Sequence, residues 1–234
     1  MTIDEFFEMQ ARSTARWGLS PEIIVEHNRK AWAELPLERR AAHESALNID
    51  ATSTAEAVIA YMRMFESDVR SEVLAEWGEN VCGDSDKFWR VVREVWNECD
   101  LIPHERFEQL FDDHCVDWYI GRRELPESIG ETVTVYRGQD VRGEVGLSWT
   151  LSRKVAENFA HGHRCFVNPN PMVGQREVQR DDIVFFDDSR NEQEVVLRDW
   201  LCGSKTQRYY VDGVDVTDEL TAKWRAEKQA EAAE

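Results

Sequence analysis

Residues Arg190 to Leu197 read RNEQEVVL. Val195, Val196 and Leu197 mark a buried strand, and Glu192 and Glu194 stand one residue apart at its start. Alternate residues of a strand share a face, so the spacing predicts two carboxylates about 7 Å apart on one side. Two acids so placed repel each other and raise the pKa of one of them, which favours a base. Two earlier stretches carry matching chemistry. Tyr136-Arg137-Gly138 ends an alternating run that starts at Thr132. A guanidinium there suits a phosphate or carboxylate, and the glycine lets the backbone turn or come close to a ligand. Ser148 to Leu151 reads as a short strand with Ser148 and Thr150 on one face. Ser152 then caps a helix whose apolar face is Val155, Ala156 and Phe159, with Gly162 as its stop. Taken singly, each stretch has an ordinary explanation: a surface ion pair for Arg137, backbone caps for the hydroxyls, solvated charges for the glutamates.

The elements that must position these residues fall into two halves. Up to about Ile129 the apolar period is helical. Thr54 to Trp77, Asp84 to Asp100 and His104 to Ile120 each read as one amphipathic helix, with Gly78 as a stop after Trp77. Shorter helical patterns cover the first fifteen residues and Pro21 to Glu34. His114 reads as a satisfied core histidine. After Pro126 the period turns to that of strands: Thr132–Tyr136, Ile183–Phe186, Glu194–Trp200 and Gln207–Val211. The chain is therefore expected to be α+β: a helical region over residues 1–127, a strand-rich domain over 128–215, and a charged helix or tail over 216–234.

Composition narrows the partners. The 234 residues carry a net charge of −18, which argues against a general nucleic-acid surface and against anionic membranes. A local basic strip could still override that total. Apolar residues make up 42%, with nine Trp and ten Phe, enough to build a core. Five scattered cysteines without a CxxC pair fit reduced thiols inside a cell. The acidic, amphipathic N-terminus lacks the pattern of a signal peptide, and no apolar run reaches the roughly 18 residues of a membrane span. A cytoplasmic protein is expected, of the producing or a host cell. His161-Gly162-His163 reads as a helix end rather than a metal site, and no metal is expected. Neither a Walker loop nor a G-x-G-x-x-G fingerprint occurs.

An arginine at a strand end, a strand of Ser and Thr leading into a helix, then a Glu-x-Glu strand: in this order the stretches resemble the arginine–serine–glutamate pattern of the mono-ADP-ribosyltransferases, in particular arginine-modifying toxins and their phage and bacterial relatives. The resemblance spans about Thr132 to Leu197. It implies a split β-sandwich that grips NAD in a cleft. Arg137 would bind the dinucleotide phosphates and hold the cleft open. Gly138 would offer backbone hydrogen bonds to the nicotinamide carboxamide, Ser148 would orient the catalytic glutamate, and Phe159 would lie against the nicotinamide ring. Glu194 would be the catalytic acid and Glu192 the group that engages the acceptor, with Asp187 to Asn191 as the loop that meets the target. Trp149 stands where the family's Ser-Thr-Ser motif has threonine, and is expected to turn to the opposite face and pack.

The implied reaction transfers ADP-ribose from NAD, as substrate, to a side chain of a protein, arginine first. Loss of nicotinamide develops positive charge on the ribose, which a fixed carboxylate stabilises while a second accepts a proton from the incoming guanidinium. Two alternatives stay open: an NAD glycohydrolase with water as acceptor, and a non-catalytic binding or inhibitory protein on a degenerate transferase scaffold.

Overall fold

A computed structural model describes residues 2–14, 18, 20–37, 40, 41, 44, 47–142, 146–163, 166–203 and 206–231. The chain divides into two compact units, Met1–Cys115 and Val116–Glu234.

The first unit is helical: α1 (Ile3–Thr14), α2 (Pro21–Glu34), α3 (Ala55–Met62), α4 (Ser67–Asn80), α5 (Ser85–Val95), a 3-10 turn at Trp96–Glu98, and α6 (His104–Asp113). Thr54 caps α3 and Asp84 caps α5, each accepting a backbone N–H of the first turn. Phe88, Val91, Val92, Val95, Phe107, Leu110 and Phe111 are buried together with Trp89 and Trp96.

Three expectations change here. The stripe Thr54–Trp77 is two helices, because the chain turns between Met62 and Ser67. Arg70 makes that break tolerable: its guanidinium donates to the carbonyls of Met62, Phe65 and Glu98 at 3.1, 2.7 and 2.6 Å. The stripe His104–Ile120 also breaks, at Cys115, whose φ is +56°. Trp89 Nε1 donates to the carbonyl of His114 at that break, 3.0 Å away. Gly78 does not stop its helix. It lies inside α4, where an added Cβ would stand 3.0 Å from both Leu110 and Phe88, so it is there to let α6 and α5 approach. His114 is buried, stacks on Phe88 at 3.9 Å between ring centroids, and places Nε2 3.3 Å from the carbonyl of Gly78.

The second unit opens with α7 (Val116–Arg122) and is built on strands β1 (Thr132–Asp140), β2 (Ser148–Thr150), β3 (Gly162–His163), β4 (Phe166–Val167), β5 (Pro171–Gln179), β6 (Ile183–Asp187), β7 (Glu194–Leu197), β8 (Arg208–Val211) and β9 (Val214–Asp215). Helices α8 (Arg153–His161) and α9 (Thr217–Glu231) complete it. Seven strands form one sheet in the order β6-β7-β2-β1-β5-β8-β9, and β3 pairs with β4 apart from it. Every pairing is antiparallel. The protein is thus α+β, a helical unit followed by a strand-rich one.

The frame of the sheet is the pair β1–β5, in register over nine residues from Thr132–Gln179 to Asp140–Pro171. One face carries the core of Val135, Trp149, Val178, Ile183, Val195 and Leu197. On the other, α8 lies over β1 and β5 through Ala156 and Ala160 against Val173, with Tyr136 and Tyr210 at the margin. Among the described residues no helix is long and apolar enough to cross a membrane.

Candidate active site

The three stretches singled out in the sequence sit on three adjacent strands, β7, β2 and β1. β2 and β7 pair through Ser148–Val196, Trp149–Val195 and Thr150–Glu194. β1 and β2 are joined by a single residue pair, Tyr136–Thr150. Glu194, Thr150 and Tyr136 therefore form one row across the sheet, and beyond that row β1 and β2 part. The sheet has a seam there, with β6-β7-β2 on one side and β1-β5-β8-β9 on the other.

Arg137 spans the seam. Its Nη1 donates to the carbonyl of Ser148 at 2.5 Å, a side-chain bond standing where a backbone ladder would otherwise run. Its Nε is shut from solvent with no hydrogen-bond partner. Burial lowers the guanidinium pKa to about 10, while the nearby carboxylate of Glu194 acts to raise it. The group remains a cation at neutral pH, half-buried, with its Nε donor to spare. Such a donor costs stability unless something accepts from it.

Gly138 is not at a strand end. β1 continues to Asp140, and a Cβ on Gly138 would stand 1.9 Å from the carbonyl oxygen of Ala156 and 2.3 Å from the nitrogen of Ala160. The glycine is required by α8 lying directly on the strand, not by a turn. The backbone of Phe159 takes part in that approach, at 2.8 Å from the same position, and its side chain is half-buried. Alternation places Tyr136, Gly138, Ser148, Thr150 and Glu194 on the face that carries α8, and Arg137 on the face of Trp149. Phe159 is thus brought to Gly138, while the Arg137 side chain leaves from the other side of β1 and meets β2 at the Ser148 carbonyl.

Ser148 is the diagonal neighbour of Glu194 on that face, a placement that sets their Cβ atoms about 7 Å apart. Trp149 turns to the opposite face. Its ring is buried, its Nε1 donates to the carbonyl of Gly146 at 2.7 Å, and the guanidinium of Arg176 lies 4.5 Å above it. Arg176 is itself buried and holds the carbonyls of Trp200 and Cys202.

The two glutamates do not follow strand alternation. Glu194 begins β7, but Gln193 has φ +48° and Asn191 φ +55°, so Glu192 belongs to the loop between Asp187 and Glu194. Left-handed backbone at Gln193 rotates the chain between the two acids, and the equal-face geometry expected from their spacing does not apply. Thr150 fixes the position of Glu192 instead: its Oγ1 donates to the Glu192 carbonyl at 2.5 Å and accepts from the Ser152 N–H at 3.0 Å. Leu151 N–H donates to the carbonyl of Gln193 at 3.1 Å. The Glu192 carboxylate itself is engaged, with Oε1 2.9 Å from Arg190 Nη2.

Comparison with protein-family models, with curated proteins and with solved structures finds no match to this chain.

The chemistry of the site rests on its own geometry. A half-buried guanidinium reaches the backbone of β2 across the seam, the Ser148 hydroxyl and the half-buried Glu194 share the α8 face, and a second carboxylate stands on a loop tied to β2. Thr150 is the residue that motif reading did not place among the site residues and that the structure ties to the Glu192 loop. Its signal was present as the last position of Ser148-Trp149-Thr150, on the hydroxyl face. Among the described residues no group of three or more His, Cys, Asp or Glu side chains is placed to hold a metal ion.

Proposed function

We propose that this protein is a mono-ADP-ribosyltransferase that moves ADP-ribose from NAD to a side chain of a protein, arginine first, and releases nicotinamide. The observation that carries the reading is the seam: β1 and β2 joined at Tyr136–Thr150 alone, bridged by Arg137 to the Ser148 carbonyl, with Glu194 of β7 in the same row as that pair. On this reading the seam is the split of the family's β-sandwich.

Each residue then has a task. Arg137, a half-buried cation with an unused Nε donor, holds the pyrophosphate. Gly138 keeps α8 against the strand, so that Phe159 and the start of the seam line one wall for the nicotinamide. Ser148 orients Glu194, which stabilises the positive charge that grows on the ribose as nicotinamide leaves. Glu192 receives the acceptor and takes its proton. No step in this scheme draws on a metal ion.

Labelled NAD supplied with a cell lysate tests the proposal. Label on a protein band, lost in Glu194→Gln, is the expected result. Nicotinamide released without label on any protein would assign the glycohydrolase reaction instead. No nicotinamide released, and no thermal stabilisation by millimolar NAD, would leave the site a binding scaffold and end the transferase reading.

A further inference from the structure

Trp149 departs from the motif that the sequence resembles, and its ring reaches where a threonine could not. Tyr136 pairs with Thr150 and Arg137 with Gly174, so Trp149 of β2, Arg137 of β1 and Gly174 of β5 fall in one row. Trp149 and Arg137 project to the same face of that row. From β2 the indole passes over β1: its Cη2 lies 3.6 Å from where a Cβ on Gly174 would stand. Neighbouring strands are about 4.8 Å apart, so the side chain bridges two such spacings. On β5 the ring meets Arg176, whose guanidinium lies 4.5 Å from its centroid. Arg176 is itself buried and anchored, with Nη1 donating to the carbonyls of Trp200 and Cys202. Trp149 Nε1 is fixed as well, by the carbonyl of Gly146 at 2.7 Å. The indole is thus held on both sides of the seam, where β1 and β2 share a single residue pair. Arg137 crosses in the opposite sense, from β1 to the Ser148 carbonyl.

We propose that Trp149, stacked on Arg176, is a positioning residue that sets the width of the seam and thereby the fit of Arg137 to the phosphates of NAD. The inference rests on the transferase reading above and gives that site a strap on its far face. Two links carry it. The Ser148 carbonyl that receives Arg137 is bonded to the nitrogen of Trp149, so a shift of the indole moves the acceptor of the bridge. The second link is electrostatic. Burial is the main cause that brings the Arg176 pKa down to about 10, and the charge of Arg137 acts in the same direction. The two cations therefore repel each other, and the π face of Trp149 offers Arg176 an attraction that offsets this. The effect falls on binding. Trp149 and Arg176 lie on the face opposite Ser148 and Glu194, so they reach the ligand through Arg137 and not through the ribose. Weakening an interaction that is kept from bound substrate to transition state raises KM and spares kcat.

The test is nicotinamide release by the full chain, followed against NAD concentration to separate KM from kcat. Trp149→Phe keeps an aromatic face but loses the Gly146 bond and part of the reach, and should raise KM about fivefold with kcat within about twofold. Trp149→Thr supplies the residue that the transferase motif has there. It should do worse, raising KM about tenfold or more, because nothing then spans the seam. Arg176→Lys keeps a cation for the ring and should hold KM closer to the original than Arg176→Met does. Should Trp149→Thr fail to fold, as judged by urea unfolding, Trp149→Phe decides. An unchanged KM in Trp149→Phe, or a loss confined to kcat, overturns the strap while the enzyme reading stands. A lower KM in Trp149→Thr overturns it too. Absence of nicotinamide release from the unmodified sequence removes the transferase reading and the strap together.

Discussion

Arg137 donates to the carbonyl of Ser148, 2.5 Å away, one row past the single residue pair that joins β1 to β2. The bond uses one nitrogen of a half-buried guanidinium whose Nε is left without a partner. Replacing it with lysine keeps a charge but gives up the fork. Arg137→Lys should lower nicotinamide release by about tenfold or more, with a larger loss in Arg137→Ala. Initial rates at NAD concentrations well below KM, which report kcat/KM, measure this. Rates for the lysine variant equal to those of the original sequence would remove Arg137 from the NAD site.

Thr150 holds the Glu192 carbonyl. On the proposed reading it positions the loop that meets the acceptor. Thr150→Val removes the hydroxyl at nearly constant shape and should cost about 1–2 kcal/mol in transfer to a protein. Nicotinamide release into water should fall much less. An equal fall in both would mean that Thr150 supports the fold alone.

At Gly138 a single methyl group meets the backbone of α8 on two sides. Gly138→Ala should destabilise the sheet unit by on the order of 3 kcal/mol, because neither the Ala156 carbonyl nor the Ala160 nitrogen can swing away as a side chain would. Urea unfolding followed by tryptophan fluorescence gives the value. An unchanged midpoint would show that α8 can lift from the strand.

Burial holds the pKa of His114 below its ordinary value near 6.5, and the Gly78 carbonyl opposes that shift. The sign follows from the protons bound. Between the lowered folded value and about 6.5 the unfolded chain binds more protons, so acidification through that window reduces stability. The slope is at most about 1.4 kcal/mol per pH unit, and the effect ends below the folded pKa. Urea midpoints across about pH 7.5 to 5.5 should fall more steeply for the original sequence than for His114→Gln. Parallel curves would assign the pH response to other groups.

The free cysteines differ in their surroundings. Burial pushes the thiol of Cys202 up to about 12 and raises that of Cys82, while Cys115 is exposed. A thiol-alkylating reagent at neutral pH should therefore label Cys115 well before Cys202 or Cys82. Timed digestion and mass spectrometry read the order, and equal labelling of Cys202 and Cys115 would contradict the packing around the Trp200–Cys202 segment.

The division into a helical and a strand-rich part was legible because burial leaves a period: Phe88, Val91, Val92 and Val95 recur as one helical face, and Val133, Val135 alternate with Thr. The helix breaks after Met62 and at Cys115 were not legible. Neither carries Gly or Pro, and at the first the apolar stripe runs on because α3 and α4 each turn an apolar face inward. What satisfies the first break is Arg70, a side-chain contact that local spacing does not encode. Gly138 was read as a turn or a close approach to a ligand, because a glycine looks the same whether it bends the chain, meets a ligand or admits a helix, and that helix begins fifteen residues later. The spacing of Glu192 and Glu194 misled for a different reason. It assumed extended backbone at Gln193, a residue type that gives no warning of a positive φ. Strand order, which brings Arg137, Ser148 and Glu194 together, depends on which distant segments pair.

The pairing of β2 with β7 sets a schedule for a growing chain. Ser148 leaves the ribosome long before Glu194, and at about 5–20 residues per second the interval is a few seconds. Until β7 has emerged, Trp149 has no Val195 to pair with and the β2 side of the seam lacks its neighbouring strand. Closing the intervening loop also carries an entropic cost that local helices do not bear, so this pairing follows the helices in time. A newly made chain passes its synthesis without an assembled site. Any segment cut short before β7 carries the arginine and the serine but not the row that faces them.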